Sequence, residues 1–242
     1  MNMRRVALEV DTASAYGRGL LRGIAEYARA HGPWTFVRGG AAADGILALV
    51  RSRRQARSLV RTGVPFVDLD YALPELSRTW GVAHDEAAVA ELAARHLLDC
   101  GLRDFAFVGL EEDTFWERER RESFLRRVPA TVFPGGSLPR WLASLPRPCG
   151  ILAANDERGR DVLEAARRAG LRVPENVAVL GVDDDEVICE LAQPALSSIA
   201  LDTRRIGYEG AALLDRRMRG RRAPRRLLRA GPLGVISRRS TD

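Results

Sequence analysis

Short apolar runs alternate along this chain with longer segments in which apolar residues recur every three or four positions. Val6 to Val10 is a predicted strand, followed by a helix over Arg18 to Ala30 that gathers Leu20, Leu21, Ile24, Tyr27 and Ala28 on one face and stops at Gly32 and Pro33. Trp34 to Val37, Ile46 to Val50 and Pro65 to Leu69 are further strands, with a helix from Gln55 to Thr62 between the last two. Asp85 is the expected N-cap of a helix that reaches Cys100 and is closed by Gly101. The alternation then restarts. Phe105 to Gly109 reads as a strand, Trp116 to Arg127 as a helix, Thr131 to Phe133 as a short strand and Leu138 to Leu145 as a short helix. Gly150 to Ala153 is a strand, Glu157 to Ala169 an amphipathic helix stopped by Gly170, and Val177 to Val182 a strand ending in polar Asp183, Asp184 and Asp185.

Strand and helix in regular alternation predict an α/β fold with parallel sheets and right-handed crossovers. The expected architecture is two α/β lobes with a cleft between them. The N-terminal lobe is read as residues 1–101 with 202–224 returning to it, and the C-terminal lobe as 102–201 with 225–236 returning. Residues 237–242, containing Arg238 and Arg239, read as the start of a linker. In open α/β sheets ligands bind outside the carboxyl ends of the strands, and clefts between lobes are favoured sites.

At 242 residues and 46% hydrophobic content the chain is long enough for two such lobes and too apolar for large-scale disorder. Its formal charge of +6 comes with 38 cationic side chains that are all arginine, an absence of lysine that speaks for coding bias before it speaks for a binding surface. The densest cluster, Arg216, Arg217, Arg219, Arg221, Arg222, Arg225 and Arg226, has no interleaved aromatic residue, and Gly220 and Pro224 break any helix that would enter a DNA groove. It reads as a solvated helix end and linker. Arg51 to Arg61 reads as the outer face of a helix whose inner face holds Ala56, Leu59 and Val60. Cys100, Cys149 and Cys189 are too widely spaced for a metal site and read as buried free thiols. No signal peptide and no run of eighteen apolar residues occurs, so a cytoplasmic location without membrane contact is expected.

The residues lack a catalytic set. Histidines stand only at 31, 84 and 96, and no serine elbow, paired Cys/His spacing or HExxH motif is present. The segment Gly17 to Gly23 has neither GxGxxG spacing nor a P-loop lysine. The aspartates at 183 to 185 lack the glycine-containing loop of a calcium site, so no metal and no cofactor is expected. A strand-end carboxylate does suit sugar hydroxyls, and arginine supplies a complementary fork of donors. Phe115, Trp116 and Arg120 lie just past one strand and Tyr16 past another, which adds apolar rings for the C–H faces of a sugar.

Several segments together carry a resemblance: RRVALEVDTASAYGRGLLRGIAEYARAHGPW, GVAHDEAAVAELAARHLLDCGLRDFAFVGL, FWERERRESF, AANDERGRDVLEAARRAGLRVPENVAVLGVDDDE, PALSSIALDTRRIGYEGAALL and GPLGVISRRSTD. In order and spacing they resemble the effector-binding module of bacterial sugar-responsive transcription regulators related to the lactose and galactose repressors and the periplasmic sugar-binding proteins. Within these they are most similar to the xylose operon regulators. The resemblance implies two Rossmann-like lobes, of the type I periplasmic-binding-protein kind, that close on a sugar effector, with Arg120, Asn155, Asp156 and Asp183 as ligand residues, Asp85 at the start of a large helix, and Tyr16 and Trp116 as ring contacts. A homodimer is expected only because that is the commonest closed oligomer. Alanine at Asp183 or Arg120 is then expected to abolish binding without unfolding the domain.

Two departures qualify what the resemblance implies. Leu201 stands where many relatives have a glutamine, which leaves the identity of the sugar open, and the stretches Gly39 to Asp44 and Arg127 to Gly136 are short. Regulators similar to this chain continue past the VISRRSTD segment into an arabinose-regulator-type pair of helix-turn-helix motifs, so DNA contact is expected through a domain outside this sequence. A free-standing sugar-binding protein and an α/β enzyme on sugars or nucleotides are the alternative readings.

Overall fold

The computed structural model describes residues 3–39, 42–73, 81–112, 114–221 and 227–242. They divide into two compact units, Met1–His84 with Asp202–Ala230, and Asp85–Leu201 with Gly231–Asp242.

The first unit is built on a four-stranded parallel sheet in the order β2-β1-β3-β4. Its strands are β1 (Arg4–Glu9), β2 (Trp34–Val37), β3 (Gly45–Ala48) and β4 (Phe66–Asp68). Successive residues point to opposite faces and both faces are covered, which is why these strands read as unbroken apolar runs. Val6, Leu47 and Val67 pack with Leu20 and Ile24 of α1 (Ala15–His31) and with Ile206 and Leu214 of α8 (Thr203–Met218). Ala7, Ile46, Ala48 and Phe66 turn the other way, onto Ala56 and Leu59 of α2 (Arg53–Arg61). Val60, expected on the inner face of that helix, is 62% exposed. A parallel pair, β5 (Val82–His84) with β11 (Leu228–Ala230), completes the unit.

Helices α1 and α8 touch backbone to backbone. A Cβ on Gly207 would stand 2.0 Å from the Leu20 carbonyl oxygen, and one on Gly23 1.9 Å from that of Arg204. Glycine here serves close approach.

The second unit holds a six-stranded sheet in the order β12-β10-β9-β8-β6-β7, parallel except for β12 against β10. Its strands are β6 (Asp104–Val108), β7 (Ala130–Val132), β8 (Cys149–Ala153), β9 (Val177–Asp183), β10 (Ser197–Leu201) and β12 (Pro232–Ile236). Ala106, Ile151 and Val179 face Leu142 of α5 (Leu138–Ser144) and Val162 and Ala166 of α6 (Asp156–Arg168). On the opposite face Phe107 meets Phe124 of α4 (Phe115–Arg127), ring centroids 6.4 Å apart.

Three boundaries differ from the sequence reading. The helix α3 (Glu86–Asp99), expected in the first lobe, belongs to the second unit. Its buried face, Val89, Ala90, Ala93, Ala94 and Leu97, packs on α4, where Arg127 reaches Glu91 at 2.8 Å. The last return to the second unit falls at Gly231, because β11 stays with β5. Residues 237–242 are also no free linker. Ser240 is fully buried, its hydroxyl donating to the Val179 carbonyl at 2.6 Å and accepting from the Ser197 N–H at 2.8 Å. Thr241 Oγ1 lies 2.8 Å from Ser197 Oγ and 3.0 Å from His96 Nε2.

Of the arginine cluster, Arg217 donates to the Phe66 carbonyl and Arg219 pairs with Asp215 at 2.9 Å, while Arg222, Arg225 and Arg226 lie outside the described residues. Cys149 and Cys189 are buried as expected, but Cys100, at the solvent-facing end of α3, is exposed. Among the described residues no helix is long and apolar enough to cross a membrane, and no group of three or more His, Cys, Asp or Glu side chains is placed to hold a metal ion.

Gly207→Ala is expected to destabilise the first unit by about 1–3 kcal/mol, since neither helix backbone can yield without disturbing its own ladder. Urea unfolding will show it as a lower midpoint, while alanine at exposed Arg205 on the same helix will leave the midpoint unchanged.

Candidate functional site

The carboxyl ends of β6, β8 and β9 deliver Gly109, Ala154 and Asp183 to one edge of the second unit's sheet, beside the amino ends of α4 and α6. Each helix there is capped by a side chain just past its strand. Thr114 accepts from the Glu117 N–H at 3.4 Å, and Asn155 Oδ1 accepts from the Arg158 N–H at 2.9 Å. Asp85 does the same for α3, accepting from Ala88 at 3.1 Å. Six of the seven sequence-predicted site residues, Asp85, Trp116, Arg120, Asn155, Asp156 and Asp183, thus fall in the second unit.

These six are not equivalent. Asp85, Trp116, Asn155 and Asp183 are partly exposed, whereas Arg120 and Asp156 are 2% and 1% exposed. Arg120 donates from Nε to Glu86 Oε2 at 2.7 Å and from Nη1 to the Ala154 carbonyl oxygen. Its guanidinium also lies over the Trp116 ring, 5.0 Å from the centroid, and so holds one ring face. Glu86 is itself 3% exposed, so this is a buried ion pair that ties α3 and α4 to the end of β8. Sequence reasoning missed Glu86, because nothing local connects it to an arginine 34 positions away.

Asp156 is an internal brace. One carboxylate oxygen accepts from Ser198 Oγ at 2.5 Å and the other from the Asp185 N–H at 2.7 Å, joining α6, β10 and the turn after β9. A Cβ on Gly181 would lie 2.2 Å from its Oδ1, so glycine in β9 makes room for the carboxylate. Burial pushes its pKa up to about 7, against the lowering effect of its hydrogen bonds from Ser198, the Asp185 N–H and Cys189. Burial likewise drives the Cys189 thiol upward, and the neighbouring Asp156 adds to this.

The turn after β9 departs from ordinary backbone. Asp183 and Asp184 have φ of 116° and 51°, consecutive non-glycine residues in the left-handed half of conformational space. An outlier of this kind persists only where its surroundings hold it, and such residues concentrate at functional sites.

In the first unit Tyr16 follows β1, its hydroxyl donating to the Leu69 carbonyl at 3.0 Å and its ring edge-on to His84 at 5.4 Å. Asp68, buried at the end of β4, accepts from the N–H groups of Val50 at 3.2 Å and Asp70 at 3.0 Å, and burial raises its pKa.

Residues 130–241 match the periplasmic binding protein-like domain family. The chain is 30% identical to the xylose operon regulatory protein of Escherichia coli strain K12 over 98% of its length and 69% of that protein's. The match to the Haemophilus influenzae protein of the same name is 35% identical but covers 66% of this chain and 46% of that relative, so the chain spans only about half of it. Among solved structures, that of the xylose-binding transcription activator XylR superposes with a TM-score of 0.89 at 30% identity, over 100% of this chain and 70% of the other. A complex of the transcriptional regulator CelR with cellobiose reaches 0.74 over 99% of this chain and 85% of that one, and at 24% identity it speaks for the fold alone.

The buried pair revises what alanine at Arg120 will do. Removing the guanidinium breaks a buried ion pair, so Arg120→Ala is expected to cost about 3–5 kcal/mol of stability in urea titrations rather than to leave the fold intact.

Asp156 carries a pH signature. With its folded pKa above the unfolded value of about 3.9, the native state binds more protons between roughly pH 4 and pH 7, so stability is highest below that window and declines as pH rises through it. Asp156→Asn keeps an acceptor for Asp185 and a polar partner for Ser198 but cannot ionise. Urea midpoints measured from pH 4.5 to 8 are expected to fall for the parent relative to this variant; parallel curves would show an unshifted carboxyl.

Proposed function

The chain belongs to the family of the xylose operon regulatory proteins, and from that membership we propose that it is the sugar-sensing part of a bacterial transcription regulator, with a pentose as its effector. The site in this reading is the strand-end edge of the second unit. The observation that carries it is the left-handed turn at Asp183, a partly exposed residue at the end of the strand beside the one that leads to Asn155. A carboxylate accepts hydrogen bonds from two vicinal hydroxyls, an amide both donates and accepts, and an indole takes a C–H face of the ring. Trp116, braced by Arg120, serves as that platform. Asp85 adds a further acceptor.

Arg120 and Asp156 take a supporting part. Their charges are largely committed within the unit, so they hold Trp116, Asn155 and the Asp183 turn in place before the sugar arrives. A preformed polar site loses less entropy on binding than one that must be ordered. Sugar binding would bias two conformations by its differential affinity for them, and that difference is what reaches DNA in a homodimeric regulator. Leu201, 6% exposed and in register with Pro232 of β12, belongs to the sheet interior of the second unit and offers the sugar no hydrogen bond. No turnover is assigned to the chain.

Thermal unfolding in the presence of D-xylose, L-arabinose, D-ribose, D-glucose, D-galactose and their phosphates tests the reading. A true effector at 100 times its dissociation constant stabilises the fold by about 2.7 kcal/mol, and one pentose is expected to give that shift. Asp183→Asn, which tolerates the left-handed turn but removes the charge, is expected to lose it. A panel with no shift at all would overturn the reading.

A further inference from the structure

Two adjacent left-handed aspartates need a restraint from outside their own turn, and the contacts of that turn identify it. The Asp184 N–H donates to Ser198 Oγ at 3.0 Å, and the Asp184 carboxylate is gripped by Arg238 Nη1 at 2.9 Å. Arg238 lies in the last five residues of the chain, the stretch that reads from sequence as the beginning of a linker. Its side chain is 12% exposed. The same Nη1 donates to the Leu196 carbonyl at 3.1 Å, and Nε pairs with Glu190 at 2.8 Å.

The root of this side chain is fixed as well. The Arg238 N–H donates to Ser197 Oγ at 2.8 Å, Ser197 Oγ lies 2.9 Å from the Arg238 carbonyl oxygen, and the Ser240 hydroxyl locks the following residues onto β9 and β10. A cation with an immobile backbone, two directed hydrogen bonds and an ion pair is a rigid strut. Its far end meets the one residue that follows Asp183.

We propose that Arg238 is a positioning residue of the sugar site: through its ion pair with Asp184 it holds the left-handed turn that aims Asp183 at the ligand, although it touches no ligand itself. This rests on the reading of Asp183 as a sugar contact. Linkage is reciprocal, so a sugar that favours this turn also favours the seated form of the tail. The chain's final residues are thereby energetically part of the site.

The test compares affinities by calorimetry for the panel sugar that titrates the parent protein, with the unfolding midpoint recorded for every variant. Arg238→Gln is expected to weaken binding by about tenfold, the scale of losing one close, partly buried charge pair. Asp184→Asn, which leaves Arg238 anchored by Glu190 and Leu196, is expected to weaken it similarly and guards against a folding failure of the first variant. The double variant should bind no worse than the weaker single one, because both remove the same ion pair. Arg238→Lys should recover part of the loss. Arg204→Gln, which breaks a surface pair of the same type with Glu26, should leave affinity unchanged.

If Asp183→Asn loses binding while Asp184→Asn and Arg238→Gln keep the parent's affinity, the strut does not position the site and the inference fails. A lower midpoint at unchanged affinity fails it too, since that is a merely structural role. If Asp183→Asn binds as the parent does, or no panel sugar titrates the parent, the site reading itself falls and takes the inference with it.

Discussion

The second unit depends on keeping one carboxylate out of water. Asp156 sits in the first turn of α6 behind the end of β9, where an ionised group is costly unless every lone pair it turns inward finds a donor. The surroundings supply Ser198 from one neighbouring strand and the Asp185 N–H from the turn after another, and Gly181 leaves the space. The amino end of a helix adds favourable partial charge to the same spot. Three chain segments are thereby forced into one arrangement, because any register that separated them would strand the carboxylate or its donors. That arrangement is the edge on which the candidate site stands.

The Glu86 and Arg120 pair applies the same constraint to the other side of that edge. Buried ion pairs contribute little net stability compared with apolar packing, but they penalise every alternative in which one partner lacks the other. Here the penalty couples the first turn of α3 to α4 and to the Ala154 carbonyl. It explains why α3 belongs to the second unit although the chain reaches it directly from β5 of the first. The consequence for recognition is that the most deeply placed charges act on geometry, while the half-exposed groups, Asn155, Asp183 and Trp116, are the ones a ligand would meet.

Much of this was legible in the sequence wherever the signal was local. Strands buried on both faces show as apolar runs, so β3, β8 and β9 were recognisable within a residue or two, and the capping residue Asp85 marked a helix start. What stayed hidden was pairing at a distance. Arg120 and Asp156 both read from sequence as ligand residues, but Arg120 is paired with Glu86, 34 positions back, and the donor to Asp156, Ser198, lies 42 positions on. The helix α7 (Glu186–Leu191) is too short to show a period, with Val187 and Leu191 exposed. The unit boundaries slipped for the same reason: assigning α3 requires knowing which surface its alanine-rich face covers, and that surface is made by residues far along the chain.

The tail shows how an error in sequence reading can mark a physical fact. Arginines followed by serine and threonine have the composition of a linker, and composition was the only local information available. The structure spends those same residues on satisfying buried groups: Ser240 and Thr241 complete the hydrogen bonding of β9 and β10, and Arg238 neutralises Asp184. A sheet whose edge is finished by the last residues of the unit cannot relax at the carboxyl ends of its strands without disturbing those residues, because packed interiors transmit displacement rather than absorb it. Any segment joined beyond the tail would be attached to a point already tied to Asp183, so a signal from the strand ends would reach it through covalent structure and one ion pair, without a separate relay of packed helices.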